Sequence, residues 1–141
     1  MMMIRRPNKG AGPRRGAAAT ELALLLPLLC FAFVVAVDYS RIFYYTMVVT
    51  NCARSGAIYG GENPTTANNQ SGIFAAARMD AGNLDAVNLN VSSSTDSAVS
   101  PTYVIVTVTY PFTTITNFPG ITHTTMITRT IRMTVTPLTP S

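Results

Sequence analysis

Catalytic equipment is what this 141-residue sequence has least of. It holds one histidine, His123, and six carboxylates scattered from Glu21 to Asp96. No Gly-x-Ser-x-Gly elbow, phosphate-binding glycine loop or Cys-x-x-Cys pair occurs. A nucleophile needs a base within reach, and acid–base catalysis needs a positioned group that titrates near neutral pH. Nothing in the spacing supplies either, so an enzyme is not expected. His123 has no cysteine or acidic cluster near it in sequence, which argues against a metal centre. No cofactor and no small-molecule substrate are expected.

Cysteine is also scarce. Cys30 lies in an apolar run and Cys52 follows 22 residues later. On one continuous helix they would stand about 33 Å apart, whereas a disulfide spans about 4.4–6.8 Å between Cα atoms. Pairing within the chain is excluded, and free, packed thiols are expected; pairing between subunits stays open. Basic residues are absent where a nucleic-acid surface would need them. Arg5, Arg6, Lys9, Arg14 and Arg15 all precede Gly16, whereas five arginines face six carboxylates after it. The formal charge of +4 therefore belongs to the leader. A nucleic-acid partner would require basic residues spread over a folded surface, and none is expected.

What the sequence does have is one long apolar run. Residues 1–16 mix the basic residues with Pro7, Gly10, Gly12 and Pro13, and read as a disordered cytoplasmic leader. Residues 17–37 follow with a single charge, Glu21. These 21 residues make a helix of about 31 Å, close to the hydrocarbon thickness of a bilayer. Asp38 and Arg41 mark its outer boundary. Pro27 lacks the amide hydrogen for an intrahelical bond and predicts a kink or a loosened turn. The leader charges hold the N-terminus in the cytoplasm and place the rest outside it.

The helix is expected to continue. Over residues 38–59, Ile42, Tyr45, Val49, Cys52, Gly56 and Tyr59 recur at spacings of three and four, forming one amphipathic stripe. Gly60-Gly61 and then Asn63-Pro64 end it. Residues 60–141 read as a small α+β domain. Residues 60–71 suggest a polar loop and residues 73–81 a short helix. Strands are expected at 87–91, 103–110 and 124–136, with residues 92–100 a turn-rich connection and 111–120 a long hairpin loop holding Phe112 and Phe118. Val104, Val106, Val108 and Tyr110 share one face; Ile127, Ile131, Met133 and Val135 share another, with Arg129 the exception. The helix stripe is the natural cover for an antiparallel sheet of three or more strands.

Arg14-Arg15-Gly16 before an alanine-rich start, Glu21, and Ala23-Leu24-Leu25-Leu26-Pro27-Leu28-Leu29 form a pattern that continues through Arg41 to Ala53-Arg54-Ser55-Gly56-Ala57. It resembles the TadE-like family, the minor pilins or pseudopilins of tight-adherence (type IVc) pilus systems. The resemblance spans roughly residues 15–57, and Cys52 replaces an alanine of the family's Ala-Ala-Arg-x-Gly-Ala ending. It implies a pilin-like fold and a bacterial inner-membrane protein cut between Gly16 and Ala17 by a prepilin peptidase. It also implies partners among other pilins and pseudopilins, the assembly platform and membrane lipid. Glu21 would become the fifth residue of the mature chain and face a neighbour's new α-amino group, setting axial register.

Plainer readings stand beside these. Glu21 could snorkel to interfacial water, Pro27 could be only a kink, and Arg54, Gly56 and Ala57 could be ordinary helix surface and close packing. The competing function is a secreted or anchored binding domain, with residues 1–36 as signal peptide and Val34-Val35-Ala36 before the cut. It requires an apolar region longer than the usual 7–15 residues.

Overall fold

Helix-forming residues run unbroken from the end of the leader, and in the computed structural model they form α1, Arg14–Gly61. The structure describes residues 14–85, 87–115 and 123–138. The expectations for leader residues 1–13 and for Phe118 and Gly120 fall outside these. Pro27 lies inside α1 without ending it. The chain forms two compact units that part between Val37 and Asp38.

In the first unit, α1 exposes nearly all its apolar side chains, from Leu22 and Leu24 to Phe33 and Val35. It is the one helix among the described residues long and apolar enough to cross a membrane.

The second unit is an α+β layer structure. After α1 come α2 (Pro64–Ala67), α3 (Gln70–Met79) and strands β1 (Asn90–Asp96), β2 (Tyr103–Thr113) and β3 (Thr124–Thr134). The strands form an antiparallel sheet in the order β1-β2-β3. Side chains alternate across a strand, so Val104, Val106, Val108 and Phe112 of β2 point inward together, with Ile127 and Val135 beside them. They meet Val49, Cys52, Ala53 and Ala57 of α1 and Ile73 and Ala77 of α3. Ile42, Tyr45 and Tyr59 of the expected stripe lie at the margin, half-buried.

Glycines bring the helix this close. A Cβ on Gly56 would sit 3.2 Å from Val106 Cγ1 and 3.3 Å from Ile73 Cγ2, and one on Gly60 would sit 3.0 Å from Val104 Cγ2. The far end of α1 is tied as well: the Thr136 amide donates to the Gly61 carbonyl at 2.9 Å. That carbonyl would otherwise be one of the helix's unsatisfied terminal acceptors.

Four local expectations need correction. The loop expected over residues 60–71 contains the last two residues of α1, all of α2 and the first two residues of α3. Asn63 is an N-cap whose side chain accepts from the Thr65 and Thr66 amides, both at 2.9 Å, with Pro64 in the first turn. The short helix begins at Gln70 rather than Ile73, capped by Asn69 accepting from Gly72 N at 3.1 Å. The first strand is Asn90–Asp96, not residues 87–91. Asp85 binds the Val87 amide (3.0 Å) and the Asn88 side chain (2.9 Å) in a turn, while Ser92 to Asp96 pair with β2. Finally, β2 continues through Pro111 to Thr113. The last β1–β2 pair is Asn90 with Thr109, so β2 has no β1 partner at Pro111. Thr114 N donates to His123 O across the β3 side, and backbone alternation then turns Pro111 N to the unpaired side. A proline costs no ladder bond there.

Cys30 and Cys52 are both free. Cys52 is packed in the core, whereas Cys30 is exposed on the apolar segment. Burial pushes the Cys52 thiol above its ordinary value, and the Asp80 carboxylate adds to the shift. Asp80 itself accepts from Ser55 Oγ.

Gly56→Leu should destabilise the second unit by about 1–3 kcal/mol or more, because the side chain must displace Val106 and Ile73. Denaturant unfolding of the detergent-solubilised chain checks this, and an unchanged midpoint would contradict the close packing. For Cys52, the unfolded chain ionises first. Its contribution is therefore whole below the unfolded thiol pKa and is lost as pH rises through the raised folded one. In a Cys30→Ala chain, alkylation of Cys52 should require denaturant at neutral pH, and stability should decline only on the alkaline side.

Candidate functional site

The residues that the sequence marks fall in two groups, one in each unit. Gly16, Ala17, Glu21 and Pro27 lie on α1 in the first. Around the expected cut, Thr20 Oγ1 donates to Ala17 O at 2.8 Å and to Gly16 O at 3.3 Å. This back-bonding occupies carbonyls near the helix start and competes with regular helix bonds. Ala17 and Glu21 are exposed. Among the described residues no ion pair reaches Glu21.

Gly16 differs from the glycines of the second unit. A Cβ there would meet nothing within 4 Å, and its φ is not positive. Neither packing nor backbone conformation calls for glycine at this position, yet glycine inside a helix costs about 0.5–1 kcal/mol relative to alanine.

The second group, Ala53, Arg54, Gly56 and Ala57, sits where α1 faces the sheet. Ala53 and Ala57 are wholly buried, Gly56 is in contact range of Val106 and Ile73, and Arg54 is exposed. The three small residues let β2 and α3 approach the helix backbone, and Arg54 takes the opposite face.

A further polar pair was missed at the sequence level. Asp38 is only 7% exposed, although it immediately follows the apolar run. Its Oδ1 accepts from Arg41 Nη1 at 3.1 Å and from the Ile115 amide at 3.0 Å. Arg41 Nη1 also lies 3.5 Å from the Thr113 carbonyl oxygen, and the guanidinium stands 5.2 Å from the Phe112 ring centroid. Tyr45 fills the space beside it, stacked on Tyr110 at 5.7 Å and edge-on to Phe112 at 5.4 Å. Beyond the end of β1, the edge of β2 is thus capped by side chains of α1. A buried charge needs this many partners. The available signal was the i, i+3 Asp–Arg spacing in a chain with so few charges, read as a boundary marker alone.

One concavity of about 690 Å³ opens between α2 and the β1–β2 connection, lined by residues such as Pro64, Asn68, Thr95, Ser97 and Pro101. None of its lining residues is titratable in the neutral range, so it offers shape and hydroxyls without acid–base chemistry. Among the described residues, no three His, Cys, Asp or Glu side chains come together as metal ligands.

No curated protein and no solved structure is matched by the chain. A protein-family model does match, the one described as TadE-like protein, over residues 16–57. The matched stretch begins at the glycine that packing leaves unexplained and ends at the buried Ala57. Over residues 16–57, less than a third of its length, the chain is similar to that family.

Proposed function

We propose that the chain is a minor pilin or pseudopilin of a tight-adherence (Flp-type) pilus, cut between Gly16 and Ala17 and assembled through its N-terminal helix. The observation that carries the reading is Gly16. It opens the TadE-like match, has open space around it and has no conformational need to be glycine. A protease site at the membrane surface supplies the missing requirement, since a residue without a side chain enters an active-site cleft most easily. Cleavage there removes the basic leader and leaves the apolar helix intact.

Assembly then rests on Glu21. Exposed and without an ion-pair partner within the described chain, it is an unfavourable charge at the edge of a hydrocarbon layer. A neighbouring subunit's α-ammonium neutralises it and fixes how far one helix slides along the next. The partners of this reading are the prepilin peptidase, other pilins and pseudopilins, the inner-membrane assembly platform and lipid. The leader's arginines favour a cytoplasmic N-terminus, with the second unit outside the cytoplasm.

Three measurements test it. The protein recovered from membranes and from sheared surface material should begin at Ala17; a start at Val37 would instead make residues 1–36 a signal peptide. Gly16→Val should leave the leader attached, and an unchanged mature mass would refute the assigned site. Glu21→Ala should be processed and inserted as the parent is but lose most piliation, whereas normal piliation would remove the register argument.

A further inference from the structure

The apolar run ends at Val37, so Asp38 stands where the chain leaves the hydrocarbon layer. This placement rests on the membrane-spanning reading above. Asp38 does not stand there alone. Its carboxylate holds the Ile115 amide at 3.0 Å, and Arg41 reaches the Thr113 carbonyl oxygen at 3.5 Å. The end of β2 is therefore fixed, by bonds rather than by sequence proximity, at the depth of the first residue after the span. Whatever the tilt of the helix, Ile115 lies within a few ångströms of that depth.

The side chains at this level suit a lipid headgroup layer. Ile115 is 64% exposed, Tyr39 72% and Phe43 61%. From Asp38 to Phe43 the helix rises about 7.5 Å, and the headgroup region on each side of a bilayer is about 5–7.5 Å thick. Tyrosine and other amphipathic aromatics concentrate in that layer. Water would gain nothing from an isoleucine held there, whereas the acyl boundary removes its apolar area from water.

We propose that the protein contacts the membrane twice: through its spanning helix, and through the end of β2, where Ile115, latched by Asp38 and Arg41, inserts beside Tyr39 and Phe43 into the outer headgroup layer. The occupant is lipid.

Spin labels placed one at a time at residues 24, 79 and 115 test this in full-length protein reconstituted in phosphatidylethanolamine–phosphatidylglycerol vesicles. Each carrier is Leu24→Cys, Met79→Cys or Ile115→Cys in a Cys30→Ala background, with the buried Cys52 left in place and a Cys52-only control. Leu24 is 80% exposed on the apolar segment, and Met79 is 88% exposed on α3. Relaxation by oxygen, which enters lipid, is compared with relaxation by a water-soluble nickel chelate. The expected result is a shift of the 115 ratio away from that of 79 and towards that of 24. A ratio at 115 equal to that at 79, with 24 still lipid-like, would overturn the second contact and leave the spanning helix standing. Water-like values at 24 would overturn the spanning reading itself. Shielding of 115 from both reagents, with dipolar broadening between labels, would assign the surface to a second copy and overturn the lipid contact.

Discussion

The close approach of a bare helix edge to a sheet is the condition on which the second unit rests. Gly56 and Gly60 leave α1 without side chains where Val104, Val106 and Ile73 press against it, and Ala53 and Ala57 extend the low surface. With the backbone this near, three strands and one ten-residue helix enclose a core in which the fully buried residues of α1 from Ala53 to Gly60 are all alanine or glycine. Interiors packed to this density tolerate little added volume. The small-residue ending that marks the matched segment is therefore a packing requirement here, whatever else it serves.

The first half of α1 obeys a different rule. Its leucines are exposed, and the lone carboxylate among them has no ion-pair partner in the described chain. In water such a surface would drive association. In lipid its apolar part is at home and only Glu21 is out of place. One helix thus carries two solvents' worth of sequence, with the changeover marked by Asp38 and Arg41, whose charges are spent on the end of β2.

Much of this was legible in the residues. Charge placement, the length of the apolar run and the Gly16–Glu21 spacing gave the helix and the family resemblance. Alternation gave the inward faces of β2 and β3, including Arg129 as the exposed exception. The first strand was misplaced because Val87-Asn88-Leu89 alternates well by itself, while Ser92 to Asp96 has turn composition. Asp85 ties down the former, and pairing with β2 recruits the latter. Propensity has no access to such a partner. Pro111 likewise read as the end of a strand, because only the length of β1 tells that its side of the ladder is empty. The burial of Asp38 was invisible for the same reason: its partner is 77 residues away.

That separation has a kinetic side. Closing a loop of this length costs about 4 kcal/mol of chain entropy by the logarithmic scaling. The Asp38 carboxylate must stay hydrated while the second unit is made as far as the end of β2, and it can be buried only after β2 is in place. The bond thus waits on the arrival of β2, while β3, which follows Ile115 in the chain, completes the sheet behind it.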